Sequence, residues 1–477
     1  MRKKKITGIA AFILVVITLL VFTGCPLHMD ALYGPKLVGD GNGNTIAIYE
    51  DKLGGNIYAQ KISAEGKAGW GEKGVLLGAS SREVYSFFHF DIVGDGAGGA
   101  IVAWPESNEQ MRPVKHLARI DAGGKILWQH DLVSFNQLIG DGSGGCLIAY
   151  DNEIVDIVND EIQDLTIVKI NAQGEYTWTT RGITVSRQNY WPNSLHLTSD
   201  GSGGAIALWE ERRGGSTHLV AQKVDAGGKM PWGEDNLLLV TNSQDIDIDE
   251  PVAVADGSGG AIFAWHRAPE GKMESGTPEW LLQDICAQKI DAAGNLLWQG
   301  GGVPLEIVKN AEMAFVHSPM LVNDGSGGAI VLWEDLRYGL ASFYAQRLDS
   351  AGAIKWQAGG VKVCYIDSDA SLFPRQAVSD DPGGVLFTCR FRDAGTGQRG
   401  ILVQRIDSEG RAVWPGNGVT VTDGETSGHF IASDGQGGVV TGWGVSKGTF
   451  SSEKSYVQRI GADGGLRWGE EGLRLNP

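Results

Sequence analysis

Apolar and polar positions alternate along this chain in a rhythm too short for helices. In PVAVADGSGGAIFAW (Pro251 to Trp265) an apolar run ends in a polar, glycine-rich turn, and a second apolar run follows at once. Asp and Gly tolerate positive φ, so the pattern predicts a tight hairpin between two strands. A polar loop leads to a third run of the type YAQKI (Tyr58 to Ile62). A second turn such as DAAGN (Asp291 to Asn295), a Trp and a fourth run such as GVKV (Gly360 to Val363) complete the unit. Beyond the N-terminal segment, nothing carries a helical period over a useful length.

The unit recurs eight times. Its first turn opens at Asp40, Asp95, Asp141, Asp200, Asp256, Asp324, Asp380 and Asp434, about 56 residues apart on average. The second landmark falls at Trp70, Trp128, Trp178, Trp232, Trp298, Trp356, Trp414 and Trp468. Between them the third run keeps a basic residue in every copy, from Lys61 and Arg119 to Arg459. Eight four-stranded units predict an all-β fold, an eight-bladed β-propeller; a β-solenoid would need a shorter, more regular coil. The blades are expected at roughly 35–80, 81–135, 136–187, 188–245, 246–310, 311–368, 369–425 and 426–477. Sheets covered on both faces explain why the second and fourth runs are continuously apolar. No strand exchange between the ends is evident, although Leu27 to Leu32 could add an outer strand.

Composition sharpens this picture. Gly numbers 70 in 477 residues, about twice ordinary usage, while 42% hydrophobic content is that of a folded protein. The formal charge is −17. So acidic a surface repels phosphate backbones and excludes nucleic acid as a partner.

The first residues, MRKKK followed by an apolar run, have the form of a signal peptide. The run ends in Phe22-Thr23-Gly24-Cys25, which resembles a bacterial lipobox, with Phe22 where Leu is usual. The resemblance implies removal of residues 1–24, lipid on Cys25, a tether over 25–34 and a propeller over 35–477. It places a mature chain of 453 residues outside the cytoplasm, lipid-anchored to the cell membrane, with a charge of −21 (36 basic against 57 acidic residues). A plain transmembrane anchor is the other reading of the same run. Cys146, Cys286, Cys364 and Cys389 lie far apart without metal-ligand spacing and are expected as buried free thiols.

The second hairpin, as in RIDAGGKILW (Arg119 to Trp128) and KIDAAGNLLW (Lys289 to Trp298), resembles the tryptophan-docking repeat of quinoprotein-type propellers. That resemblance implies eight blades, each Trp stacked on the backbone of its neighbour. The remaining pattern, DGxGGAIxxW followed by YAQ, resembles repeats of bacterial secreted proteins without a settled activity. Quinoprotein dehydrogenases carry adjacent cysteines and a calcium-holding Glu, Asn and Asp set, and this chain has neither. The resemblance therefore implies architecture and no quinone cofactor.

Propeller sites usually lie where the repeat breaks. The segments leading into each unit carry Tyr190-Trp191, Phe88, Phe315, His317 and Phe373, candidates for a glycan or peptide platform, with core packing the alternative. Charges follow the second strands at Glu210 with Arg212, Glu334 with Arg337, and Arg390 with Arg392. They read either as Glu–Arg pairs tying blades together or as an arginine-lined mouth for a carboxylate ligand. In DIDIDE, Asp245, Asp247 and Asp249 project to one side of an extended strand, where structural calcium could bridge them; a solvated loop is the alternative. The repeated Trps are expected to pack blade on blade, and the Gln of each YAQ-type strand to bond backbone between blades. No GxSxG, HExxH or other nucleophile–base set occurs. The expectation is a binding or scaffold module for a protein or glycan, and no enzyme. The alternative is a carbohydrate-active enzyme, hydrolase or lyase, which requires acids with perturbed pKa values at the channel.

Overall fold

Each repeat folds into one four-stranded antiparallel sheet whose strand order follows chain order, and there are eight such sheets. The computed structural model describes residues 34–51, 55–79, 90–107, 113–132, 136–151, 165–179, 182–186, 193–213, 216–234, 236–241, 248–267, 284–305, 316–335, 342–365, 370–380, 383–393, 395–424, 426–445 and 454–476. Blade 5 is representative: first strand Ile248–Ala255, second Ala261–Arg267, third Asp284–Ile290 and fourth Val303–Pro304. First strands of consecutive blades touch, and that of blade 8 (Ser427–Ser433) touches that of blade 1 (Lys36–Gly39), so eight inner strands close a ring. The chain is an eight-bladed β-propeller.

The turn Asp explains the first hairpin. Asp200 Oδ1 accepts the backbone N–H groups of Ser202 (2.8 Å) and Gly204 (2.7 Å), closing the turn from within. Gly203 sits at φ +86°, and a Cβ on Gly204 would lie 2.3 Å from the carbonyl oxygen of Val224. The second Asp oxygen pairs with the basic residue of the third strand. Asp95 Oδ2 meets Arg119 Nη2 at 2.9 Å, and Asp40 Oδ2 meets Lys61 Nζ at 2.7 Å. The same cations reach onward to the next blade, Arg119 Nη1 to the carbonyl of Ala172 (2.8 Å) and Lys61 Nζ to that of Gly98 (2.8 Å). One carboxylate thus shapes its own turn and orients the cation that joins two blades.

The landmark Trps complete the joint. Trp70 Nε1 donates to Ala122 O and Trp128 Nε1 to Ala172 O, each at 3.1 Å and each in the following blade. Trp178, Trp232, Trp298, Trp356 and Trp414 repeat the bond around the ring, and Trp468 closes it onto Ala64 of blade 1 (3.1 Å). Asn476 Nδ2 adds a bond to Asp51 O (2.8 Å), and Leu37 and Ala47 share a core with Val440, Val457 and Trp468. The ring closes by side-chain bonds and packing, with no exchanged strand among the described residues.

Two expectations need correction. The repeated Gln bonds within its own blade: Gln60 Nε2 donates to Gly71 O (2.7 Å) and its Oε1 accepts Trp70 N–H (3.0 Å). It fixes the chain where it turns back past the third strand. The fourth strands are also not covered on both faces, since Leu76 is 55% exposed and Leu238 48%. They are outermost, and only one face of each packs on the neighbouring blade, whereas the second strands bury Trp104, Trp209, Trp265 and Trp333 completely.

Candidate functional site

First strands run into the Asp turns and second strands run back, so the starts of the one and the ends of the other meet at a single face of the ring. At that face the register shifts in five consecutive blades. In blade 5 Asp249 opposes His266 and Val252 opposes Ala264, which sets Glu250 and Pro251 against Trp265 alone. Blade 4 shifts between Asn193 and His196, blade 6 between His317 and Met320, blade 7 between Pro374 and Gln376, and blade 8 between Ser427 and His429. Such bulges bend a strand and re-aim its side chains. Three of them hold non-glycine residues in the left-handed region: Ser194 (φ 52°), Glu250 (φ 52°) and Ser318 (φ 55°), each six residues before its turn Asp. Blade 8 has Gly428 (φ 48°) at the same place. Left-handed backbone disfavours Ser and Glu by about 1–2 kcal/mol each. Pro251 and Pro319 follow two of these residues, and lacking an N–H they leave no donor stranded in the bulge.

Glu250 reaches across a blade boundary. Its Oε2 accepts the backbone N–H of Ser318 at 2.5 Å, joining the bulges of blades 5 and 6. Next to Ser318, His317 stands directly opposite Glu334 in the sheet of blade 6. Glu334 is buried, and burial followed by the charge of Glu250 pushes its carboxyl up to about 8. At neutral pH Glu334 therefore keeps its proton. Glu210, Glu211, His266 and Asp335 are buried at the corresponding ends of the second strands of blades 4, 5 and 6. Arg267 meets Asp284 (3.3 Å), whose carboxyl is raised by burial despite the arginine.

The polar residues deeper along the inner strands serve the scaffold. Asp91 Oδ2 accepts Leu138 N–H (3.1 Å), Gln137 Oε1 accepts Leu197 N–H (2.6 Å) and Gln376 Oε1 accepts Ile431 N–H (2.7 Å), each from the next blade. His116, stacked on Trp104, meets Glu106 (Nε2, 3.2 Å) and Asp131 (Nδ1, 2.7 Å), which engages both ring nitrogens.

The candidate residues fall unevenly on this frame. His317, Asp249 and Phe373 occupy equivalent positions, seven residues before the turn Asp, on the inner strands of blades 6, 5 and 7, opposite Glu334, His266 and Arg390. Arg212 lies in the second strand of blade 4 opposite Thr217. Arg392 is exposed and opposite Arg399, while Arg390 Nη1 donates to Thr426 O (3.0 Å) of blade 8. Cys25, Phe88, Tyr190, Trp191, Asp245, Asp247, Phe315 and Arg337 lie outside the described residues. Among the described residues no group of three His, Cys, Asp or Glu side chains is placed to hold a metal. The left-handed residues Ser194, Glu250 and Ser318 were not singled out from the sequence. Counting six positions back from each turn Asp finds them, and two of the three precede a proline.

No family model matches the chain, and neither does any curated protein. Solved structures similar to it share low identity with the chain. One is the PL25 ulvan lyase bound to a sulfated glucuronyl-rhamnose saccharide (11% identity, TM-score 0.46, over 92% of this chain and 96% of that one). Another is the polysaccharide lyase Uly1 (10%, 0.46, over 82% and 92%). A third is the propeller domain of the trilobed protease of Pyrococcus furiosus, described as having an open velcro topology (12%, 0.41, over 80% and 96%). The likeness is one of fold.

Proposed function

We propose that the protein is a membrane-tethered binding module outside the cytoplasm whose ligand, a glycan or protein, docks at the bulged face of blades 4 to 6. The observation that carries this reading is the recurrence of left-handed Ser194, Glu250 and Ser318 at one position in three adjacent blades, with the buried Glu334 opposite His317, the neighbour of Ser318. Strain repeated at one rim is characteristic of a site rather than of a scaffold. The tether adds an orientation. From lipidated Cys25 to Gly34 the chain spans at most about 32 Å when extended. The first strand of blade 1 starts at the bulged face, so a lipid on Cys25 holds that face towards the membrane.

Two measurements test the reading. Intact mass of protein extracted from membranes should match residues 25–477 plus acyl groups, and Cys25→Ala should release it from the membrane. Glycan-array and calorimetric binding should then detect a ligand whose affinity drops at least tenfold in Glu250→Gln. A full-length mass, or no difference between wild type and Glu250→Gln for a ligand found on the array, sinks the corresponding half.

One observation favours a second reading, a carbohydrate-active enzyme at the same face. A buried carboxyl that keeps its proton at neutral pH, as Glu334 does, is what general acid catalysis uses. Turnover of a bound polysaccharide, lost in Glu334→Gln while binding persists, would establish it. Binding without turnover would leave the module reading in place.

A further inference from the structure

Cys364 lies in the fourth strand of blade 6 (Val361–Tyr365) and Cys389 in the second strand of blade 7 (Gly384–Asp393). Both are fully buried, and their Sγ atoms are 3.7 Å apart. They share a core with Phe343, Phe387, Phe391 and Leu402, which spans the boundary between the two blades. The repeat shows how specific this meeting is. Cys389 stands nine residues after its turn Asp, the position that is Trp104, Trp209, Trp265, Trp333 and Trp443 in five other blades and Tyr49 and Tyr150 in the remaining two. Cys364 stands eight residues after its landmark Trp, the position of Gly78 in blade 1. At the boundary of blades 1 and 2 those two positions also meet, for a Cβ on Gly78 would lie 2.9 Å from Trp104 Nε1. One interface fills the contact with a Trp against a Gly, and the other with two cysteines.

We propose that Cys364 and Cys389 are joined in a disulfide that fastens blade 6 to blade 7. A bond of about 2.05 Å needs the sulfurs to approach by less than 2 Å, within the range of side-chain rotation. Two thiols lose their hydrogens as the S–S bond forms, and a disulfide oxidant, small or protein-borne, takes up both and leaves as two thiols. The hydrogen bond with Cys364, and then burial, raise the Cys389 thiol far above its ordinary range, and in the packed core neither sulfur is open to an oxidant. The exchange therefore takes place before blades 6 and 7 close, and the finished core then shields the bond from reductants. The meeting with an oxidant in the cell rests on the extracytoplasmic reading; the competence of the pair does not.

The test is a count of thiols. Protein isolated from membranes under acid quench, denatured and labelled with a maleimide, should gain two labels when reduced first, and a peptide map should find residues 364 and 389 cross-linked. The gain reads the disulfide, while the total reads whether Cys25 is blocked, so the two claims fail separately. The full chain, unfolded, reduced and refolded in a glutathione redox buffer, should recover the same cross-link. It should melt roughly 3–4 °C above Cys364→Ser/Cys389→Ser, from loop-closure entropy spread over a chain of this length. A cross-link on refolding but not in the isolated protein would uphold the pair and overturn the compartment. No gain in labels after refolding, in protein that has regained its native melting transition, would overturn the disulfide.

Discussion

Trp468 donates its indole N–H to the carbonyl oxygen of Ala64 at 3.1 Å, bringing together residues 404 positions apart. The same bond joins every other pair of neighbouring blades within some 44 to 60 residues of chain. Only at this seam does it carry the ends of the propeller, helped by Arg459 Nη1, which also donates to Ala64 O (3.1 Å).

Trp468→Ala should therefore destabilise the propeller by about 3–5 kcal/mol, the range for loss of a large buried side chain. Trp468→Phe, which keeps most of the packing and loses the hydrogen bond, should cost about 1 kcal/mol. Chemical denaturation of both variants beside Trp178→Phe checks the seam. Equal effects of Phe at 468 and 178 would mean that closure has no special weight.

Asp95→Asn separates the two duties of the turn Asp. Its Oδ1 can still accept the N–H groups of Ala97 and Gly99, but the partner of Arg119 is gone at a site where the Asp side chain is 1% exposed. Breaking a buried pair from one side costs about 3 kcal/mol. The sister pair gives a pH signature. Burial alone would raise Asp40, but hydrogen bonds from Lys61, Asn44 and the N–H groups of Asn42 and Asn44 outweigh it and hold the carboxyl below its ordinary 3.8. A lowered folded value contributes stability that is present above the ordinary value and lost as pH falls through the folded one. Melting temperatures should accordingly drop below about pH 4, and less steeply in Asp40→Asn.

The architecture was legible in the sequence because both of its determinants are local. The DGxGG turn and the spacing to the landmark Trp are set within one repeat, and eight copies average out every irregular loop. Partners were less legible. The recurrence of Asp40 and Lys61 could be seen, but their 2.7 Å pairing depends on the sheet's third strand returning beside the first turn. Glu250 was visible only as the end of an acidic string, since a left-handed φ and a bond to Ser318 of another blade leave no periodic trace. The contact of Cys364 with Cys389 is equally hidden, because each is unremarkable until the blades are superposed on the repeat.

Ser194 and Ser318 offer a test of the strain at the bulged face. Ser→Gly within a strand ordinarily destabilises, because glycine loses more backbone entropy on folding. At a left-handed φ the sign should reverse, and Ser318→Gly should gain about 0.5–1 kcal/mol. Denaturation midpoints of Ser318→Gly and Ser194→Gly beside Ser379→Gly, a first-strand serine outside the bulges, provide the comparison. A loss at all three sites would count against stored strain.

Glu334 makes the most direct prediction about the site. Its folded value, about 8, lies well above the ordinary 4.5, so the folded state holds this proton more tightly than the unfolded chain does. Stability should then fall as pH rises from about 4.5 to 8, where the unfolded chain ionises and the folded one does not, and level off above that. Glu334→Gln keeps the shape and removes the titration, so its stability should overtake that of wild type at alkaline pH and change little through neutrality. Glu250→Gln removes the neighbouring charge but leaves the burial, the larger cause, and should lower the Glu334 value only in part. Thermal melts of the three proteins from pH 5 to pH 9 would separate the two causes, and a wild-type curve without slope across that range would show that Glu334 is ionised in the fold.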